Sequence, residues 1–347
     1  MEAAEFEAAG LYDPAAPGAA ARLALLQWLV ELGVPLEQMQ HANERGQLPY
    51  VASTNALRPG PYLTQQHLAD RLGVAMELIE AFRVAFALPP VPADAPWCNE
   101  AEARMFESVA GGVGLFGEIG MLRLSRVLGS SVSRIAEAMA STNAGRMRAL
   151  AEGGADELDL ARANLLAVQT ADAPARIMTG LLSLHLQIAT TRLREGRSNS
   201  SDKDTVYGCV GFVDLVGSTN LSQRLSSRDL AAMVDRFEEV AHDVAINRRG
   251  RVVKFIGDEV MFVTSDADSA CDIALTLVER FAGDPTVTPR GGLAEGQLLD
   301  RCGDYYGPVV NLAARLGELA VPNEILVTTG VTDRLTSPRL RCEAAGR

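Results

Sequence analysis

The chain is almost without lysine: Lys203 and Lys254 are the only two among its 32 basic residues, the rest being arginine. With alanine so abundant, this scarcity fits the codon bias of a GC-rich genome, and it means that a lysine inside a strand needs a reason. Bases are also outnumbered by 44 acidic residues, for a net charge of −12. The acidic balance holds in both halves, which argues against nucleic-acid binding, because neutralising phosphates takes a basic face. The five cysteines (Cys98, Cys209, Cys271, Cys302, Cys342) are odd in number and scattered, with no CxxC spacing. That argues against a disulfide framework or a zinc site and fits a reducing compartment. No run of about 18 uncharged apolar residues occurs, and the N-terminus "MEAAEFEAAG" is acidic rather than signal-like. The expectation is a soluble, cytoplasmic protein without a membrane span.

What is present is enough apolar material, 48 % of 347 residues, for about two domains with full cores. Residues 1–196 read as helices. "AARLALLQWLVELG" carries an apolar stripe (Leu23, Leu26, Leu29, Val30) and stops at Gly33. "LTQQHLADRLG" and "VAMELIEAFRVAFAL" form a helix, a glycine turn and a second helix. "LFGEIGMLRLSRVLGSSVSRIAEAMA" is a long, mostly apolar helix. "DAPARIMTGLLSLHLQIATTRLREG" has Asp172 as N-cap, Pro174 in its first turn and Gly196 past its end. The proline-rich loop "LPPVPADAP" divides this half into two expected helical subunits. Residues 197–204 lie in the polar, Gly/Ser-rich stretch "GRSNSSDKD" and form the predicted linker.

Beyond the linker the periodicity changes. The order is strand, helix, a strand pair around Gly257-Asp258, helix, a glycine-interrupted strand, helix, strand. This predicts an α+β domain over 205–347, a ferredoxin-like βαββαβ unit with a mainly antiparallel sheet and helices on one face. In such a unit the first strand lies beside the hairpin, so Asp214 at the end of "VYGCVGFVDL" and Asp258 at the hairpin tip can converge. Two carboxylates with few other ligands, opposite phosphate oxygens, suit Mg²⁺ or Mn²⁺. Gly217-Ser218-Thr219 then opens a helix whose free N–H groups can cradle a phosphate. An N-cap aspartate with an ordinary turn is the plainer alternative for Asp214 alone. Lys254 sits in an apolar strand, where a gatekeeper charge on an edge is the plainer alternative. Asn311 and Arg315 are four apart and share a helix face, which suits charge growing on a phosphoryl group. Asp304 in "GDYYG" reads as a turn residue.

Taken together, "FVDLVGST", "VVKFIGDEVMFV" and "GDYYGPVVNLAARL" resemble, in order and spacing, the three signature blocks of class III adenylate cyclases. The resemblance covers residues 205 to about 333. It implies that Asp214 and Asp258 are the two metal aspartates, with the backbone carbonyl of Leu215 assisting and two Mg²⁺ or Mn²⁺ ions per site. It implies that Lys254 and Asp304 read adenine, that Asn311 positions the ribose and that Arg315 stabilises the transition state. Substrate ATP, product 3′,5′-cyclic AMP, and a homodimer whose sites are shared between chains follow from the same resemblance. Two positions depart from the pattern: Ser218 stands where many members have an aromatic residue, and "RGGLAEGQ" lacks the usual histidine. Members also continue through a further strand pair, so the resemblance implies a catalytic domain cut short at Arg347. The helical half is similar to the autoinhibitory, pH-responsive regulatory domain of actinobacterial cyclases. Its last long helix would act as a lever, and His185 beside Ile177, Leu181, Leu184 and Ile188 is the titrating candidate.

Two rivals remain at this stage. "IGDEV" resembles the diguanylate cyclase hairpin, though with one glycine only, and a guanylate cyclase would carry glutamate and cysteine in place of Lys254 and Asp304. Residues 63–88 resemble a helix-turn-helix, which would make the chain a DNA-binding regulator with a vestigial cyclase domain.

Overall fold

The computed structural model describes all residues except 171, 199–204, 217–225, 285–286 and 346–347. The chain divides into two compact units, Met1–Leu181 and Leu182–Arg347.

The first unit consists of α1 (Ala3–Ala8), α2 (Ala19–Glu31), α3 (Leu36–Glu44), α4 (Val51–Leu57), α5 (Gln65–Leu72), α6 (Met76–Ala85), α7 (Glu100–Glu152), α8 (Glu157–Gln169) and the start of α9 (Asp172–Ser198). Local chemistry sets several of these ends. Thr64 accepts the His67 N–H at 3.2 Å to open α5, and Gly73, at φ +63°, closes it. Asn99 with Glu102, and Asp156 with Asp159, form capping boxes at the starts of α7 and α8. Two separate cores result. One gathers Phe6, Leu25, Leu26, Leu29 and Met39 with Ala161 of α8, and the other Leu68, Ile79, Phe82, Trp97 and Phe106. The proline-rich loop lies in the second half, between α6 and α7, where a two-residue strand β1 (Tyr62–Leu63) pairs with β2 (Cys98–Asn99). The unit is therefore helical apart from this short ladder.

The long apolar helix extends further than its sequence suggests, because Asn99 caps it fifteen residues earlier; it breaks at Gly117, at φ 71° and ψ 159°. Among the described residues it is the one helix long and apolar enough to cross a membrane, by length and composition alone. α9 also runs on, through Gly196 to Ser198, so the predicted linker begins as helix. A helix with nothing to terminate it can carry a glycine near its end at a cost of about 1 kcal/mol.

The second unit holds β3 (Thr205–Val216), α10 (Ser227–Asn247), β4 (Arg251–Ile256), β5 (Glu259–Thr264), α11 (Ala267–Arg280), β6 (Thr288–Arg301), β7 (Asp304–Tyr306), α12 (Pro308–Leu319), β8 (Ile325–Val327) and α13 (Thr329–Asp333). The strand order is β4-β5-β3-β6-β7, with β8 parallel to β6. β3 lies at the centre, antiparallel to both β5 and β6, as a βαββαβ unit requires.

Helices cover both faces of the sheet, not one. Cys209, Val213 and Leu215 of β3 pack with Phe237 and Val244 of α10 and with Ile273 and Leu277 of α11. Val210 and Phe212, the alternate residues, pack with Val309 and Ala313 of α12. The reason is that β3 is apolar on both faces, and a strand of that pattern needs two covers. Asp304 is not in a turn: it opens β7, opposite Arg301, after a tight turn in which Cys302 and Gly303 both have positive φ.

α12 approaches β6 as closely as backbone allows. A Cβ on Gly292 would lie 2.2 Å from the Ala313 carbonyl oxygen and 2.3 Å from the Gly317 nitrogen. Gly292→Ala is expected to destabilise this unit by about 3 kcal/mol, since neither neighbour is a movable side chain. A lowered urea midpoint with unchanged slope is the result to look for.

Candidate active site

The end of β3 and the β4–β5 hairpin place Asp214 and Asp258 together. Antiparallel pairing sets Asp214 opposite Glu259 on one side and opposite Arg290 on the other. The Leu215 N–H donates to the Asp258 carbonyl at 3.3 Å, which ties the hairpin tip to the end of the central strand. Burial raises the Asp214 carboxyl above the usual aspartate range. The Asp258 charge adds to that rise, and Arg290 opposes it. Glu259 is pushed up to about 7, by burial first and then by the charges of Asp214, Asp258 and Glu318. This end of the sheet is an acidic, partly desolvated pocket in which carboxylates repel one another. A cation between Asp214 and Asp258 would relieve that repulsion. The donors on offer, carboxylates and main-chain carbonyls, are hard oxygens that fit Mg²⁺ or Mn²⁺.

Sequence reasoning missed Arg290 and Glu259. Arg290 donates to Asp214 Oδ2 from Nη2 at 3.2 Å and from Nε at 3.4 Å. The same guanidinium donates from Nη1 to the Glu318 and Ala320 carbonyls, at 2.9 and 3.2 Å, where α12 ends. It thus satisfies carbonyls that a helix C-terminus leaves open. The available signal was positional: an arginine just before the Gly-Gly of the central β6 strand, where a charge is otherwise out of place.

A second cluster lies around Lys254. Lys254 Nζ donates to Asp304 Oδ2 at 2.6 Å. β4 and β7 stand at opposite ends of the strand order, so this contact means that the sheet curls until its edges meet. Burial raises the Asp304 carboxyl, but hydrogen bonds from Lys254 and from the Tyr305 N–H outweigh it and hold the group below the usual range. Asn311 and Arg315 lie on an exposed face of α12 with Leu312 and Leu319, and neither makes a side-chain hydrogen bond or ion pair among the described residues. Gly217, Ser218 and Thr219 lie outside the described residues. His185 and its neighbours Ile177, Leu181, Leu184 and Ile188 are exposed on α9, so the apolar seam expected beside the histidine is uncovered in the single chain.

Arg290→Met removes the bonds to both α12 carbonyls as well as the Asp214 ion pair. A loss of about 2 kcal/mol in unfolding free energy is expected, the size of a charge-assisted hydrogen-bond group. Unchanged denaturation would show that α12 is held by packing alone.

Comparison with known proteins adds the following. A family model described as the adenylate cyclase regulatory domain matches residues 5–189, and one described as the adenylate and guanylate cyclase catalytic domain matches residues 200–347. An adenylate cyclase of Streptomyces griseus is 30% identical over 300 residues, covering 84% of this chain and 74% of that protein. The pH-sensitive adenylate cyclase MT1302 of Mycobacterium tuberculosis (strain CDC 1551 / Oshkosh) is 29% identical over 329 residues, covering 91% of this chain and 80% of its own length. The solved structure of the adenylyl cyclase CyaB from P. aeruginosa, at 25% identity and a TM-score of 0.33, covers 37% of this chain and 81% of that one.

Proposed function

The chain belongs to the adenylate cyclases that carry a helical regulatory domain ahead of a class III catalytic domain, and from this premise we propose that it converts ATP into 3′,5′-cyclic AMP and pyrophosphate. The observation that carries the choice of base is the Lys254–Asp304 pair. Adenine offers a ring-nitrogen acceptor beside an exocyclic amine donor. An ammonium and a carboxylate held side by side match that pattern, whereas guanine presents the reverse order and would meet like with like.

The roles of the other residues follow from their chemistry. Asp214 and Asp258, with the Leu215 carbonyl, would hold two Mg²⁺ or Mn²⁺ ions, which when bound lower the pKa of the ribose 3′-hydroxyl and offset charge on the triphosphate. Arg290 is the cation that partners Asp214 in the free chain. Gly217, Ser218 and Thr219 would receive phosphate oxygens on their N–H groups. Asn311 would orient the ribose, and Arg315 would stabilise negative charge as it grows on the α-phosphoryl group during in-line attack.

A homodimer with shared sites is supported by how one chain separates these groups. Lys254 lies within the edge strand β4, whereas Asp258 lies in the turn beyond that strand's end. Asn311 and Arg315 lie on an exposed helix face without side-chain partners among the described residues. A second chain would bring its Lys254, Asp304, Asn311 and Arg315 to the first chain's carboxylates. α9 passes without a break from the first unit into the second, and a relative carries pH sensitivity in its name. We therefore assign α9 as the lever by which the regulatory half restrains catalysis and releases it on acidification.

Radiolabelled ATP incubated with Mn²⁺ and the full chain, with chromatography of the product, tests the activity; no cyclic AMP would overturn it. Asp214→Ala and Asp258→Ala should each abolish turnover while leaving the dimer intact. Mixing Asp214→Ala chains with Arg315→Ala chains should restore activity through one intact composite site. Re-equilibrated heterodimers that stay inactive would show that the site is not shared. The full-length enzyme is expected to be least active at neutral to alkaline pH, and His185→Ala to flatten the rise on acidification. A His185→Ala profile that overlays the wild type would remove His185 from the switch.

A further inference from the structure

Lys254 and Asp304 meet across the curled sheet, and a second cation three residues earlier holds the turn that presents the aspartate. The guanidinium of Arg251 donates to the Gly303 carbonyl from Nη1 at 3.1 Å and from Nη2 at 3.0 Å, and it lies over the Tyr305 ring, 5.1 Å from the centroid. In a regular strand, residues i and i+3 point to opposite faces. Here Arg251 stands opposite Val263 and Lys254 opposite Met261, because Val253 is an extra residue in a β-bulge. The two cations are therefore two partner positions apart and share a face. On the other side Asp304 is held by both oxygens, Oδ2 by Lys254 at 2.6 Å and Oδ1 by the Tyr305 N–H at 2.8 Å. The Tyr306 ring flanks Lys254, 5.9 Å from Nζ. β7 has only three residues and would be a weakly held edge without such a clamp.

We propose that Arg251 is a positioning residue for base selection: by clamping the Cys302-Gly303 turn it fixes Asp304 where it can face the nucleobase beside Lys254. This rests on the reading of Lys254 and Asp304 as the adenine-recognising pair. Arg251 itself acts through the hairpin. A loosened hairpin leaves the metal-binding carboxylates in place, so binding and selectivity should suffer more than the chemical step.

Arg251→Met in the full-length enzyme keeps the stem and removes the paired donors. The KM for ATP is expected to rise about tenfold, the worth of one charge-assisted hydrogen bond. The kcat should stay within about twofold and the ATP-over-GTP preference should fall. Amide hydrogen exchange at Asp304–Tyr306 should accelerate in the nucleotide-free chain, and Arg280→Met, on the surface of α11, should change none of these. Unchanged KM and preference, or an equal loss of kcat with both nucleotides, would overturn the proposal. So would unaltered exchange at the hairpin, or full recovery of preference by Arg251→Lys, which keeps charge without the planar pair of donors. A wild-type chain that forms no cyclic AMP, with faster hairpin exchange in Arg251→Met, would remove the cyclase reading and leave the clamp standing.

Discussion

The central strand β3 is the constraint on which the catalytic unit depends. It is hydrogen-bonded on both edges and apolar on both faces, so its register with β5 and β6 fixes every other position. A slip of one residue would turn Asp214 into the α10–α11 core and expose Val213. Because the register holds, a carboxylate emerges where the strand runs out of cover, with Glu259 and Arg290 as its obligatory neighbours. The acidity of this end of the sheet follows from strand pairing. It is partly desolvated and crowded with like charges, and so suited to attract cations.

Curling of the sheet is the second constraint. It brings the edges β4 and β7 together and satisfies them with charge, through Lys254–Asp304 and Arg251–Gly303. Edge strands need protection from unwanted pairing, and here charged side chains on β4 and β7 provide it. α12 is positioned by the same sheet. Gly292 lets it sit on β6, Ala313 faces inward, and Asn311 and Arg315 consequently face out. Packing of the small residues on one side of the helix decides where its polar side points.

The helical half shows a different balance. Its two cores are small, and α7 and α9 leave many large apolar side chains exposed, among them Leu115, Ile119, Leu182 and Leu186. Within the unit Leu182–Arg347 the end of α9 brings Arg192 near Arg251 and Tyr305. Burial and then the Arg251 charge hold the Arg192 pKa below the usual arginine value. This stretch of α9 thus lies beside the Arg251 clamp on the Cys302-Gly303 turn.

Local pattern carried most of the architecture. Period-2 and period-3.6 alternation and glycine turns such as those at Gly33 and Gly73 fix which segments become helix or strand, because those signals act within a few residues. Asp214, Asp258, Lys254, Asn311 and Arg315 could be singled out for a similar reason: each stands out against the apolar or small residues around it. What only the tertiary structure decided lies across long separations. Arg290 reaches Asp214 over 76 positions and Arg251 reaches Gly303 over 52. The bulge at Val253 puts two cations on one face, and a strand apolar on both sides draws α12 to the face opposite the other helices. None of these follows from neighbours in sequence, since each depends on strand register and on how far the sheet curls before its edges touch.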